Sequence, residues 1–246
     1  TGDNGLYYWN SPSQIHTVLE RVMAGWEAVA NIDLVYQGHN TQFQHHSADI
    51  VFTALDSRIM GGALGLGVFP SKAFGNDFLS ALGLNRRVYS QPEGDIFVNA
   101  DYTQVWKHNG PGTFTQYVAL HEVGHALGLK HTHDGGLVGN PTYQELGWGE
   151  FDSAYHTVMS YNPIPTASLP AGNSSTPMPE DILAIQYLYG ANKSYATGNN
   201  TYQMFNISEV KTIWDAGGND TFDASSWSSP VELDLREGAY SFAGTD

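Results

Sequence analysis

Between residues 15 and 29 the apolar positions Ile15, Val18, Leu19, Val22, Met23, Trp26 and Val29 recur with a 3.6-residue period. That spacing predicts an amphipathic helix laid against something flat. Ser11-Pro12-Ser13-Gln14 reads as its start, with Ser at the N-cap, Pro at the first helical position and Gln at the third. Shorter apolar runs at 6–9, 32–36, 49–53 and 95–99 lack that period and read as strands, the run at 49–53 as a buried one. The glycine-rich run from Met60 to Phe69 reads as a loop entering an edge strand over 64–69. A phosphate-binding loop is the weaker reading, because no amphipathic helix with an acidic partner follows.

Further on, Thr113 and Gln116 form a capping-box pair that opens a second helix. Residues 162–177 are rich in Pro, Ser and Asn and read as loop, and Pro179-Glu180-Asp181 then starts a third helix that ends at Gly190. After Gly190 come short apolar pieces broken by Gly, Asn and Ser, which predict β-rich structure and place a domain boundary there. The expected organisation is a first domain over 1–190 and a β-rich region over 191–246. The order of strands and helices in the first suggests an α+β fold, a mixed sheet backed by helices.

Composition narrows the function. A chain of 246 residues suffices for one large domain with a smaller appendage. A formal charge of -15 leaves no basic stripe for phosphates, so a nucleic-acid partner is excluded. The acidity suits a soluble extracellular protein whose carboxylates hold cations. Cysteine is absent, which removes disulfides, thiolate nucleophiles and cysteine-ligated zinc together. Any metal must be held by His, Asp, Glu or backbone oxygen, and bound metals are the natural substitute for disulfide staples. No run approaches the roughly 20 apolar residues of a membrane span, and the first residues lack a signal-peptide layout, which in a mature or trimmed chain says little about secretion. A secreted monomer is the expectation.

The chemistry concentrates in HEVGHALGLKH, residues 121–131. His121 and His125 are four apart, so on a helix they point the same way and can reach one zinc ion at about 2.0–2.1 Å each. Glu122 is rotated off that direction, where a general base for a metal-bound water belongs. A third ligand at position 131 of a straight helix would lie about 15 Å along the axis from the first. The chain must therefore turn, and Gly128 permits this by taking a left-handed conformation at the helix C-terminus. His131 then becomes the third ligand, and the fourth position stays open for water or substrate, as in catalytic zinc sites.

This pattern, H-E-x-x-H-x-x-G-x-x-H, resembles the metzincin clan of zinc endopeptidases, and Thr157-Val-Met-Ser-Tyr161 resembles the clan's methionine-containing turn. The V-M-S-Y form is similar to the serralysins, secreted bacterial proteases, as are Asp181–Asn192 and Trp214–Asp223, the latter like the start of a calcium-binding β-roll. The resemblance implies a zincin domain with a twisted mixed five-stranded sheet, a backing helix and an active-site helix. It implies His121, His125 and His131 as zinc ligands, Glu122 as base, Tyr161 as a fifth ligand that swings away to stabilise the tetrahedral intermediate, and Met159 as a hydrophobic floor. It casts the edge near Ala63, Leu64 and Gly65 as the platform for an extended peptide. It implies a structural calcium ion held by Asp215 and Asp220 with carbonyls of Gly217, Ala196, Gly198 and Asn200, although the repeat at 215–223 is degenerate and no stacked neighbours follow it before Asp246. Thr132 departs from the pattern, because serralysins usually carry proline after the third histidine. His133, Asp134 and His156 are assigned to turns or surface.

The expected partners are protein or peptide substrates, with a proteinaceous inhibitor as a further candidate. Two other readings stand beside the broad protease: a calcium-dependent adhesion protein on an inactive zincin fold, and a processing protease of narrow specificity. The intact Glu122 and all three histidines weigh against the first, since a binder has no need of a base.

Overall fold

A computed structural model of the chain describes residues 6–7, 12–38, 47–87, 89–102, 110–135, 140–164, 172–203, 209–236 and 238–243. The chain divides into two compact units, the first of residues 1–23, 34–110 and 114–131, the second of residues 24–33, 111–113 and 132–246.

Helix α1 runs Pro12–Val29, starting on the proline whose missing N–H costs nothing at a first turn. Val18, Val22 and Trp26 are fully buried, as the period requires. The proposed cap Ser11 and the strand positions Tyr8 and Trp9 lie outside the described residues.

The first unit holds a mixed sheet of β1 (Leu6–Tyr7), β2 (Phe52–Leu55), β3 (Gly65–Gly67) and β4 (Ile96–Asn99), in the order β1-β2-β4-β3. The β2–β4 pair is parallel and the other two are antiparallel, so β3 is the edge next to β4. Four strands make up this sheet among the described residues where five were expected, because residues 32–36 form no strand. Their alternation has no buried side to sustain a ladder: Val35 is 63% and Tyr36 47% exposed.

The link from β2 to β4 carries α2 (Ser57–Met60), β3 and α3 (Lys72–Ala81). Helix α3 escaped the sequence reading because Gly75 and Asn76 interrupt its apolar face. A β-carbon on Gly75 would lie 2.6 Å from Oε1 of Glu93 and would have to push that side chain aside. Leu55, Met60, Val68, Leu79, Tyr89 and Phe97 close the core behind the sheet. Buried among them, Asp95 accepts from Tyr89 Oη at 2.6 Å and from the Val51 amide at 2.8 Å, which compensates its desolvation.

Helix α4 is Phe114–Ala126 and belongs to the first unit. In the second unit, α5 spans Pro179–Tyr189 with Gly190 at φ +82°, as expected from its proline and glycine. Within the expected loop at 162–177, residues 165–171 lie outside the described residues, but β5 (Asn173–Ser174) pairs in parallel with β7 (Glu209–Val210). Its stability is polar and left no apolar signal: the buried Ser174 hydroxyl donates to the Ala154 carbonyl at 2.7 Å. Beyond Gly190, β6 (Thr201–Gln203) pairs in parallel with β8 (Thr221–Asp223), twenty residues apart in register, and β9 (Val231–Glu232) pairs antiparallel with β10 (Phe242–Ala243).

Candidate metal centre

Helix α4 stops where Gly128 turns. The Gly128 amide donates to His125 O and the Leu129 amide to Gly124 O, both at 2.9 Å, while Gly128 takes φ +105°. These paired bonds are the Schellman closure, which satisfies the last carbonyls and reverses the chain. The reversal brings His131 back to the helix. Nε2 of His121 lies 3.1 Å from those of His125 and His131, and the His125 and His131 nitrogens are 3.0 Å apart.

Three imidazole nitrogens converging this closely cannot all be satisfied by one another. His125 Nδ1 lies 2.7 Å from the Leu129 carbonyl, an obligate acceptor, so Nδ1 carries the proton and Nε2 turns a lone pair toward the other rings. Burial, and after it the neighbouring His121 and His131, hold the His125 pKa well below that of a free imidazole. Three converging imidazoles, two of them buried and His125 held neutral and oriented, are a donor set for a borderline-soft divalent cation such as zinc. The residues present fit that ion.

Glu122 follows His121 on the same helix and is also buried. Its Oε2 is buried without a hydrogen-bond partner. Burial pushes its pKa up to about 8, against the pull of a backbone hydrogen bond at Gly67. Such a group is poised for proton transfer near neutrality. It sits against β3: a β-carbon on Gly65 would overlap the Glu122 carboxyl, and one on Gly67 would lie 2.6 Å from the Glu122 carbonyl oxygen. The glycines of the edge strand thus leave room for the acid, a role the sequence showed only as glycine richness.

Along that edge, Ala63 and Leu64 are largely spent internally. The Ala63 amide donates to Met60 O, while the carbonyls of Ala63 and Leu64 accept from the side chain and backbone amide of Asn99. Leu64 and Val68 face β4, so the alternation of an antiparallel ladder turns the backbone groups of Gly65 and Gly67 away from β4, those of Gly67 toward the Glu122 carboxyl.

In the second unit, Val158 and Met159 are buried and Tyr161 is 68% exposed. The turn that carries them hangs on the buried Asp181, which sequence reading had placed only as a first-turn acid. Its carboxylate accepts from Thr157 Oγ1 at 2.6 Å and from the Val158 and Met178 amides at 2.8 Å each. His133 is exposed with its ring 4.7 Å from that of Tyr161, and His156 Nδ1 pairs with Tyr240 Oη at 2.7 Å.

Some of the expected calcium residues meet in this unit, Asp220 with Asn200 and Asp215 with Gly217. Asp220 Oδ1 accepts from the Asn200 amide at 2.8 Å, and Asp215 accepts from the Gly217 amide at 2.8 Å and from the Tyr202 hydroxyl. A β-carbon on Gly218 would overlap the Gly198 carbonyl. Ala196 holds φ +50°, and Asn200 Oδ1 is buried without a partner. The two carboxylates and the orphaned amide oxygen of Asn200 are hard oxygen donors of the kind Ca²⁺ takes.

Comparison with known proteins agrees with this chemistry. Residues 75–155 match the matrixin family and residues 183–245 the serralysin C-terminal family of peptidases. The chain is 32% identical over 248 residues to a serralysin of Photorhabdus sp. (strain Az29), covering 93% of this chain and 46% of that protein. It is 34% identical over 172 residues to metalloprotease AprA of Pseudomonas entomophila (strain L48), covering 62% and 35%. A serralysin of Proteus mirabilis is 36% identical over 149 residues, covering 54% and 30%. The chain spans less than half the length of each of these relatives. With a matrixin-type segment around the histidine triad and a serralysin-type C-terminal region after it in the chain, this protein is similar to the serralysins.

Proposed function

We propose that this chain is a secreted zinc endopeptidase, with its catalytic part over residues 1–190 and a calcium-binding β-rich part over 191–246. The observation that carries the reading is the Nε2 triangle of His121, His125 and His131, with sides of 3.0–3.1 Å, beside a buried carboxyl. Held by these three nitrogens, zinc supplies Lewis acidity to the attacking water and the scissile carbonyl.

The chain's own residues do the rest. Glu122, buried and next to His121 on α4, takes the proton of the attacking water and returns it to the leaving amine. Tyr161, exposed on a buried turn, donates its hydroxyl to the developing oxyanion. The backbone groups of Gly65, the member of the Ala63–Gly65 platform not spent on Met60 or Asn99, pair with an extended substrate, which draws affinity from main chain more than from side chains and suits broad specificity. Asp215 and Asp220, with the carbonyls of Ala196, Gly198, Asn200 and Gly217, hold a structural calcium ion. Among the described residues no helix is long and apolar enough to cross a membrane.

Casein clearing with and without a zinc chelator, paired with metal analysis, tests the reading. Chelation is expected to abolish clearing and zinc to restore it. Clearing that survives quantitative zinc removal would exclude it.

A further inference from the structure

Asp152 has no part in the chemistry described above, yet hydrogen bonds converge on it. The hydroxyls of Thr132 and Ser160 both donate to its Oδ1, that of Ser160 at 2.6 Å. Its carbonyl accepts from Asn162 Nδ2 at 2.8 Å. The Asn162 amide donates to Ser160 Oγ at 3.1 Å, and the Asn162 carbonyl accepts from the Ala154 amide at 2.8 Å. Ser160 is fully buried and Thr132 nearly so. The two neighbours of Tyr161 in the chain are therefore both tied to the segment 152–154, while the Tyr161 side chain itself is 68% exposed.

A fixed backbone under an exposed ring is what a swinging hydroxyl needs. Rotation about side-chain torsions is fast and cheap, whereas a backbone that drifted would spoil the aim: a misplacement of about 1 Å can cost roughly 10²-fold in rate. A carboxyl oxygen carries two lone pairs, so Oδ1 of one aspartate can hold both hydroxyls. The threonine that departs from the serralysin pattern is one of the two donors.

We propose that Asp152 is a positioning residue that clamps the backbone of Tyr161 through Ser160 and Asn162, and that Thr132 ties this clamp to the segment following the third histidine. The proposal rests on the role given to Tyr161 above. Its test compares Asp152→Ala, Asp152→Asn, Thr132→Val and Tyr161→Phe by steady-state hydrolysis of a quenched peptide, and by amide hydrogen exchange in both metal-free and zinc-loaded protein. Asp152→Ala and Thr132→Val are expected to lower kcat about 10- to 100-fold with little change in KM, and to speed exchange at the Ala154 and Asn162 amides in both forms. Asp152→Asn, whose Oδ1 still accepts two hydrogen bonds, is expected to restore both readouts. Should Asp152→Ala not fold, Thr132→Val carries the same comparison. Wild-type kcat and wild-type exchange in Thr132→Val would overturn the clamp, as would Asp152→Asn behaving like Asp152→Ala. Full kcat in Tyr161→Phe would instead overturn the role of Tyr161, leaving the exchange data to decide the clamp on their own.

Discussion

Gly67 and Glu122 are packed so closely that a β-carbon on the glycine would lie 2.6 Å from the Glu122 carbonyl oxygen and equally close to Cβ of His125. Neither atom is the far end of a flexible chain, so Gly67→Ala must push the edge strand off the helix. Overpacking of this kind costs about 1–3 kcal/mol, occasionally more. Chemical denaturation should show a loss at or above that range, with activity lost as well. Gly62→Ala is the control: its β-carbon would meet nothing within 4 Å, and stability should stay within about 0.5 kcal/mol of wild type.

Removing the carboxylate of Glu122 separates binding from chemistry. Glu122→Gln leaves the three Nε2 atoms 3.0–3.1 Å apart, so zinc content should be unchanged. Peptide hydrolysis should fall by roughly 10²–10⁴, the usual contribution of a positioned base. Metal analysis and kcat/KM on the same preparation check it, and retention of full activity would remove Glu122 from the mechanism.

The raised pKa of Glu122 predicts a pH dependence of stability in the metal-free protein. Its folded value of about 8 lies above the ordinary value of 4.5, so between those two values the folded state binds more protons than the unfolded state. Stability therefore falls as pH rises from 4.5 toward 8, and the penalty is complete above 8. Denaturant midpoints measured across that window should decline less steeply in Glu122→Gln than in wild type.

Loss of one triad histidine should be felt by the metal first. His131→Ala leaves α4 and its Schellman turn intact, because both are closed by backbone bonds at 2.9 Å. Zinc should be weakly held while far-UV circular dichroism is unchanged. A variant that keeps stoichiometric zinc through gel filtration would show that His131 is not a ligand.

Calcium should stabilise the chain through the 196–220 cluster. A ligand present at 100 times its Kd adds about 2.7 kcal/mol, enough to raise the unfolding temperature visibly. Asp220→Ala removes the acceptor of the Asn200 amide and should lose that calcium-dependent increment. An equal increment in the variant would place the ion elsewhere.

Much of this was legible in the residues themselves, where the signal is local. The period of α1, the proline at the start of α5 and the spacing of residues 121–131 each depend on neighbours within about two turns of chain. Gly128 is the strongest example, since a third histidine ten residues from the first makes sense only if the chain reverses, and the glycine permits it. What local pattern could not give was partnership across long separations. The strand expected at 32–36 failed because strand formation needs a buried face and a neighbour, and Val35 and Tyr36 are left largely exposed. The strand at 173–174 went unseen because a hydroxyl and a backbone ladder hold it.

The sequence by itself determined the candidate metal site, because ligand type, the helical repeat and one glycine suffice to bring three histidines together with a glutamate beside the first. Tertiary structure alone decided what surrounds it. It decided that the edge strand presses its glycines on Glu122, forty residues and more away, that Asp181 carries the methionine turn, and that Asp152 joins Thr132 to Ser160. Those relations come from chain segments packed together by burial, whose energy depends on area removed from water and not on separation along the chain.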